Sequence, residues 1–367
     1  MSTNSSAQVL GKSLGLADNL CRPIDTVRAR FMHVMITGGT GFIGYHTARA
    51  LLAAGHTVSL LVRSVDKLYK LYGDDCELGY TRGDITDADA VRRALAGCDA
   101  VIHTAAMVST KASDAQRVYD TNVQGCKTVI GNALESGVKT VVHVSSVTAL
   151  YDPKARILDE NSPPGAASNA YGRSKVACEK YVRGLKARGK RIYITYPATV
   201  IGPDDPALTE PHVGMRGFLS MFVPHMPSGN QYVDVRDVAE IHLRLLERRP
   251  ASGNYTVGGH YVPWTELGPL LERLTGRKLL KLPLLPGPMR LAGRIVDQVN
   301  RFYPIETPIS EEAMEYATNW VRLDNSKVER TLDFSFRPVE QTMADTVSWL
   351  YRAGHINKRQ AGVLARH

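Results

Sequence analysis

A phenol and an ammonium spaced for one helical face open the chemistry of this chain. In Tyr171-Gly172-Arg173-Ser174-Lys175, Tyr171 and Lys175 stand at i and i+4, the spacing that brings two side chains together on a helix surface. Free tyrosine titrates at about 10, too high for ready proton exchange near neutrality. A neighbouring ammonium favours the phenolate form. Such a pair is equipped to give a proton to a carbonyl oxygen or to take one from an alcohol. On a solvated helix the same spacing is a coincidence, so its meaning depends on where the helix sits. Ser145-Ser146 closes the apolar run Val141-Val142-His143-Val144. Residues at the exit of a parallel strand face the ligand crevice, and a hydroxyl there can bond a substrate oxygen as charge develops. Ser146 lies nearer the exit and is the first candidate. Ser145 is the alternate and Thr148 a third, and serines bonding within a turn are the plain alternative.

A second group of residues speaks of phosphate. Thr37-Gly38-Gly39-Thr40-Gly41-Phe42-Ile43-Gly44 follows the strand-like run His33-Val34-Met35-Ile36 and leads into a helix at His46 to Ala54, closed by Gly55. With a strand before it and a helix after it, a glycine motif carries weight. Gly38 permits a tight turn, Gly41 lets backbone approach a pyrophosphate, and Gly44 allows helix to pack on sheet. Thr40, Phe42 and Ile43 complete a helix start whose N–H groups and dipole favour an anion. The next strand, Thr57 to Val62, ends in Arg63-Ser64 where an acidic residue would grip a ribose 2′-hydroxyl. Arg63 instead offers a planar fork to a 2′-phosphate. NADP(H) is therefore favoured over NAD(H). Asp84 and Ile85, after the third strand, fall beside the adenine, with Asp84 as a turn cap the alternative.

The elements that must hold these groups alternate. Glu77 to Arg82, Ala100 to Ala105, Thr140 to Val144 and Arg191 to Tyr196 read as strands. Asp87 to Ala96, Asp114 to Ser136 and Tyr171 to Arg188 read as helices. That order implies βαβ units, right-handed crossovers and a parallel, doubly wound sheet of the Rossmann type. After Pro203 an irregular, proline-punctuated stretch follows. It is succeeded by a short strand before Val235, a helix from about Val238 to Arg248, a strand at Asn254 to Val257, and mainly helical chain to about 350. The expected organisation is a weakly ordered leader, 1–31; a dinucleotide-binding domain, 32–203, to which 231–257 returns; a smaller, mainly helical substrate-binding part, 204–230 and 258–350; and a basic tail, 351–367.

Composition narrows the classes. At 367 residues, 44% hydrophobic and 22% charged, the chain is an ordinary globular one. Its net charge of +9 lacks the basic stripe with aromatics that nucleic-acid binding requires. Five scattered cysteines without a Cys-x-x-Cys argue against a disulfide framework or a zinc site, and no metal is expected. No apolar run is long enough to span a membrane, and a cytoplasmic location is expected. Leu282 to Val299 carries Leu284, Leu285, Met289, Leu291 and Ile295. It reads first as a helix packed on the protein's own core, with a lid over an apolar substrate or a membrane-surface contact as alternatives.

Taken in order, Thr37 to Gly44, His103-Thr104-Ala105-Ala106, Asn122-Val123, Ser145-Ser146, Tyr171 with Lys175, and Tyr196-Pro197-Ala198-Thr199-Val200-Ile201-Gly202-Pro203 carry a resemblance. The chain resembles the extended short-chain dehydrogenase/reductases, and within them the dihydroflavonol-reductase-like and 3β-hydroxysteroid-dehydrogenase-like branch. Val233 to Ala239 and Gly253 to Gly259 are similar to later segments of that branch, so the likeness covers roughly Met32 to Leu350. It implies that Lys175 also bonds the nicotinamide ribose, that Thr104, Ala105 and Ala106 line the cofactor channel, and that Pro197 and Val200 contact the nicotinamide ring. It further implies that Asn122 steadies its helix, that Asp237 caps the helix starting at Val238, and that the helices at 114–136 and 171–188 form a homodimer. The expected activity is NADP(H)-dependent reduction of a carbonyl, or oxidation of a secondary alcohol, on a small apolar substrate. The rival is a nucleotide-sugar epimerase or dehydratase with transiently reduced cofactor, for which Arg216 and His225 are the candidate diphosphate groups.

Overall fold

A computed structural model describes residues 31–73, 78–108, 112–167, 169–300 and 310–366. The expected leader, apart from Phe31, lies outside the described residues, as does Glu77. The first half alternates as expected: β1 (His33–Thr37), α1 (Phe42–Ala53), β2 (Thr57–Val62), α2 (Val65–Tyr72), β3 (Gly79–Arg82), α3 (Ala88–Leu95), β4 (Ala100–His103), α4 (Ala115–Glu135), β5 (Thr140–Val144), α5 (Ala170–Ala187) and β6 (Ile192–Pro197). The second half holds β7 (Thr199–Ile201), α6 (Glu210–Ser220), β8 (Val223–His225), β9 (Gly229–Asp234), α7 (Val235–Arg248), β10 (Gly253–Val257), β11 (His260–Pro263), α8 (Trp264–Thr275), β12 (Lys281–Pro283), α9 (Pro286–Asn300), α10 (Glu311–Thr318), α11 (Ser326–Leu332), α12 (Val339–Arg352) and α13 (Lys358–Ala361).

Seven strands form one sheet in the order β10-β6-β5-β4-β1-β2-β3, and every pairing in it is parallel. Strand order reverses between β1 and β4, which opens a crevice at their carboxyl ends. The strands are apolar on both faces because helices cover both. Ile36, Leu60, Ile102 and Val142 belong to the core on one face, and Met35, Val101, Val141 and Ile194 to the core on the other. A third core, with Met215, Leu219, Leu267, Leu271, Val347 and Leu350, is built from α6, α8 and α12. Two small sheets, β11-β9-β7 and β12-β8, complete the strands.

Several expectations shift. Helix α1 begins at Phe42, so the last three residues of the expected turn are already helical. Helix α2 was not expected; the Ser64 side chain starts it by accepting from the Lys67 N–H. The stretch read as irregular after Pro203 holds α6, with Pro211 in its first turn, where a missing N–H costs no helical bond. Asp237 does not cap its helix. The helix starts three residues earlier, Asp234 is the cap, and Asp237 binds Arg337 through its backbone N–H (2.8 Å) and guanidinium. The segment read as a basic tail contains α13, with a capping box between Asn357 and Gln360, and Ile356 and Ala361 are buried in the third core. Finally, the stretch read as packing on the core does so only in part: Leu284 and Met289 lie against the third core and Gly293 is buried, whereas Leu285, Leu291 and Ile295 are exposed.

Candidate active site

The glycine turn is shaped by steric need. Gly38 has φ +74°, and a Cβ there would stand 2.6 Å from Thr104 Oγ1 and 2.7 Å from the Ala105 nitrogen. Gly44 serves both the turn and the approach of α1 to the sheet, since a Cβ on it would meet the Gly38 carbonyl carbon at 2.7 Å and, just past the end of β4, Thr104 Oγ1 at 2.8 Å. Gly41 differs from both. A Cβ there would meet one neighbour, the Gly38 oxygen, at 3.3 Å. Gly41 is also the N-cap of α1, so no side chain closes that helix start and no acidic residue occupies its first turn. In contrast α2, α3, α5 and α7 are capped by Ser64, Asp87, Asn169 and Asp234. The open start, with Thr40, Phe42 and Ile43 around Gly41, leaves N–H groups aimed at the crevice, as a pyrophosphate requires. These residues fit a dinucleotide.

The neighbouring strand ends are pinned to that turn. Thr104 donates its hydroxyl to the Thr37 carbonyl at 2.8 Å. The Ala105 N–H donates to Thr37 Oγ1 at 3.4 Å. Ala106 is half-buried, and the Met107 N–H donates to the Asn122 carboxamide at 2.7 Å. Asn122 returns a bond to the Met107 carbonyl and donates to Ser174 Oγ at 2.9 Å, joining this loop and α4 to α5. Arg63 lies two residues beyond the Thr37–Leu61 register pair of β1 and β2. It is exposed and makes no ion pair among the described residues. Asp84 spends one carboxylate oxygen on the Thr86 N–H and hydroxyl, at 2.9 and 2.8 Å, so it does cap a turn. Ile85 packs onto α4 at Gly125, which has room for it because it has no side chain.

At the other side of the crevice, Lys175 is buried at 6% exposure. It donates to the Val144 carbonyl at 3.3 Å, which ties α5 to the last residue of β5. Its ammonium stands 5.7 Å from the centroid of the Tyr171 ring. Tyr171 is half-buried. Ser145 and Ser146 part company. Ser145 is buried and donates to Glu179 at 3.0 Å. Ser146 is half-buried and accepts from the Thr148 N–H and hydroxyl at 3.2 and 2.8 Å. Pro197 is the last residue of β6 and is buried against β10 at Val257. Val200 is half-buried in β7.

Two features escaped the sequence reading. Glu179, one turn beyond Lys175, is fully buried and accepts from Ser145, from Tyr196 Oη at 2.5 Å and from Arg183 Nε at 2.5 Å. It locks α5 to β5 and β6 behind the site, and the i, i+4 spacing after Lys175 was its one signal. Below the strand ends, His103 and His143 stack with ring centroids 5.6 Å apart. Their ligating atoms and Cys126 Sγ lie within 4.8 Å of one another. Burial, and then the nearby Lys175 charge, hold His103 at about 3. Burial, His103 and Lys175 lower His143 well below the usual imidazole range. Cys126 is pushed up by its hydrogen bond with Cys178 and by burial. Two neutral imidazoles and a protonated thiol next to an ammonium offer a cation little negative charge.

Residues 34–258 match the model of the NAD dependent epimerase/dehydratase family. The chain is 30% identical to sterol demethylase protein B of Methylococcus capsulatus, over 89% of this chain and 100% of that protein. It is 28% identical to cinnamoyl-CoA reductase 1 of Arabidopsis thaliana, over 91% of this chain and 93% of the relative. The crystal structure of gox2253 superposes with a TM-score of 0.73 at 26% identity, over 88% of this chain and 99% of that one. With a glycine turn built for a dinucleotide in the crevice of a parallel sheet, and with this breadth of likeness, the chain belongs to the NAD dependent epimerase/dehydratase family, an enzyme family of the extended short-chain dehydrogenase/reductase fold.

Proposed function

We infer that the protein is an NADP(H)-dependent oxidoreductase that reduces a carbonyl, or oxidises the corresponding secondary alcohol, on a small apolar substrate. One observation carries the reading. Lys175 is a buried ammonium with no carboxylate partner among the described residues, held at the end of β5 with the Tyr171 ring beside it. An ion kept so poorly neutralised in a protein interior is costly unless it serves another group. Here it stabilises negative charge developing on the Tyr171 oxygen.

When bound, a reduced nicotinamide would supply the hydride. In the direction of reduction, Tyr171 Oη gives its proton to the carbonyl oxygen, and in oxidation it takes that proton back. Ser146 orients the same oxygen by a hydrogen bond; Ser145 is unsuited because its hydroxyl faces Glu179. Gly38, Gly41 and Gly44 admit the pyrophosphate, Thr104, Ala105 and Ala106 flank the channel, and Pro197 and Val200 bound the nicotinamide. Asp84 and Ile85 border the adenine. Arg63, exposed and without an ion pair among the described residues, pairs with the 2′-phosphate and sets the preference for NADP(H). The similarity to a cinnamoyl-CoA reductase supports net reduction of a carbonyl. Homodimer formation is assigned to α4 and α5, whose outer groove is lined by Gln116, Tyr119, Arg173, Val176, Ala177 and Lys180.

The test is a panel of ketones, aldehydes and alcohols followed by nicotinamide absorbance, with Tyr171→Phe beside the parent. Loss of the proton donor should lower turnover by about 10²–10⁴-fold. Cofactor binding should persist. Retained turnover in Tyr171→Phe refutes the acid–base role. Conversion of a nucleotide sugar without net change in absorbance would instead establish an epimerase or dehydratase.

A further inference from the structure

We propose that the face made by β12 and the outward side of α9 docks on the surface of an anionic lipid bilayer. Helix α9 sets Met289 against the third core but turns a second apolar row away from the protein. Leu291, Ile295 and Val299, at i, i+4 and i+8, are 57%, 55% and 37% exposed. Its one buried residue, Gly293, sits against the backbone of Ser310 and Glu311 at the start of α10. The stripe continues through Leu285 at 70%, Leu282 at 37% and Leu280 at 65%. Leu280 accepts at its carbonyl from the Val223 N–H, two residues after the exposed Met221. An apolar surface of this extent marks an interaction site rather than scattered exposure. A helix with leucine and isoleucine on its free side and cations beside them lies in a membrane interface.

Charge selects the partner. From 277 to 296 five of twenty residues are basic and none is acidic. Some of that charge is spent within the protein: Arg290 on Glu315 at 3.3 Å, Arg294 on Glu311 at 2.6 Å and Lys281 on Glu272 at 2.9 Å. Arg277 binds the carbonyls of Leu219 and Gln360, which offset no charge. Lys278, Arg273, Lys358 and Arg359 are exposed and make no ion pair among the described residues, and Arg359 lies close enough to Arg277 to act on it electrostatically. At its Leu280 end the apolar stripe thus adjoins unneutralised positive charge, Arg273 and Lys278 lying beside Arg277. A second copy of this chain, set face to face by a two-fold axis, would bring that charge against itself. Nucleic acid would leave the leucines without a partner, since the stripe holds no aromatic ring on which a base could stack. An anionic bilayer accepts both the apolar side chains and the cations.

The test is flotation of the full chain with vesicles of phosphatidylcholine alone and of phosphatidylcholine with phosphatidylglycerol. It needs no turnover, so its outcome is independent of the reaction proposed above. Partition onto the anionic vesicles should exceed that onto neutral ones by about tenfold and fall as salt rises. Leu291→Asp with Ile295→Asp should remove about tenfold or more of that partition with circular dichroism unchanged, since both side chains are exposed. Lys278→Glu with Arg273→Glu should abolish the preference for anionic vesicles. No partition at any composition, equal partition onto both vesicles, or unchanged partition of both double variants overturns the proposal. So does a change of oligomeric state in Leu291→Asp/Ile295→Asp without any vesicle binding by the parent, which would assign the stripe to a second copy.

Discussion

Removal of the Glu179 carboxylate should destabilise the protein more than most single substitutions. Glu179 is fully buried, and three donors converge on it: Ser145 Oγ at 3.0 Å, Tyr196 Oη at 2.5 Å and Arg183 Nε at 2.5 Å. Glu179→Ala deprives a partly buried guanidinium of its counter-charge, and breaking one half of a buried pair costs about 3–5 kcal/mol. The hydroxyls of Ser145 and Tyr196, both buried, lose their acceptor as well, at about 1–3 kcal/mol for a group left unsatisfied. Two effects offset part of this. Arg183 keeps a bond to Tyr196 Oη at 3.0 Å, and its side chain, 21% exposed, can turn toward water. The expected loss is therefore about 4 kcal/mol, somewhat below the roughly 5–11 kcal/mol to which those terms sum. Glu179→Gln keeps an acceptor of the same length and gives up the charge, so about 1–2 kcal/mol is expected. Urea unfolding followed by far-ultraviolet circular dichroism measures both variants. A loss below about 1 kcal/mol for the alanine variant, or equal losses for the two, would refute the view that this carboxylate is the lock behind the site.

Arg63→Ala should weaken NADP(H) by about tenfold or more and leave NAD(H) nearly unchanged; titration of both cofactors by fluorescence decides it, and equal losses would remove the basis for the cofactor choice. Gly41→Val should abolish dinucleotide binding at a smaller cost in thermal stability than a side chain at Gly44, because its Cβ meets one protein atom, the Gly38 oxygen at 3.3 Å. Gly44→Ala should lower both, because its Cβ meets the Gly38 carbonyl, and the pair of melting and binding curves separates the two cases. Burial holds His103 and His242 at about 3, below the unfolded imidazole, so the unfolded chain binds more protons as the medium is acidified. Their stability contribution is complete above the unfolded value of about 6.5 and is lost as pH falls from there toward the folded value, at up to about 1.4 kcal/mol per pH unit for each. Urea midpoints between about pH 7 and about pH 5 should fall accordingly, and His242→Gln should fall less steeply; an unchanged slope would contradict this origin.

How much of this was written in the chain order depends on distance along it. The glycine turn was legible because strand, turn and helix are contiguous; that Thr104 and Ala105 also press on Gly38 was not, because they arrive from the end of β4. The parallel sheet was legible because short β-branched runs alternate with helical ones, and strands buried on two faces leave that imprint. Boundaries slipped where a local signal misled. Asp237 resembles a cap, but Asp234 three residues earlier accepts from the Arg236 N–H at 2.8 Å, and Asp237 instead answers Arg337, a hundred positions away. The choice between Ser145 and Ser146 was likewise open along the chain. It depends on Glu179 lying behind the first of them, where the hydrogen bonds that tie α5 to the ends of β5 and β6 hold it.

The order of residue types by itself determined the βαβ framework, the uncapped helix start at Gly41 and the phenol–ammonium pair, since each rests on backbone geometry and spacing within a few turns. Tertiary structure alone decided that Lys175 is buried against the Val144 carbonyl, that one carboxylate ties two strands to α5, and that Leu291 and Ile295 of α9 face outward. Periodicity shows that a helix has an apolar side. Whether that side meets the core or the surroundings is fixed by which other elements arrive to cover it, and those arrive from anywhere in the chain.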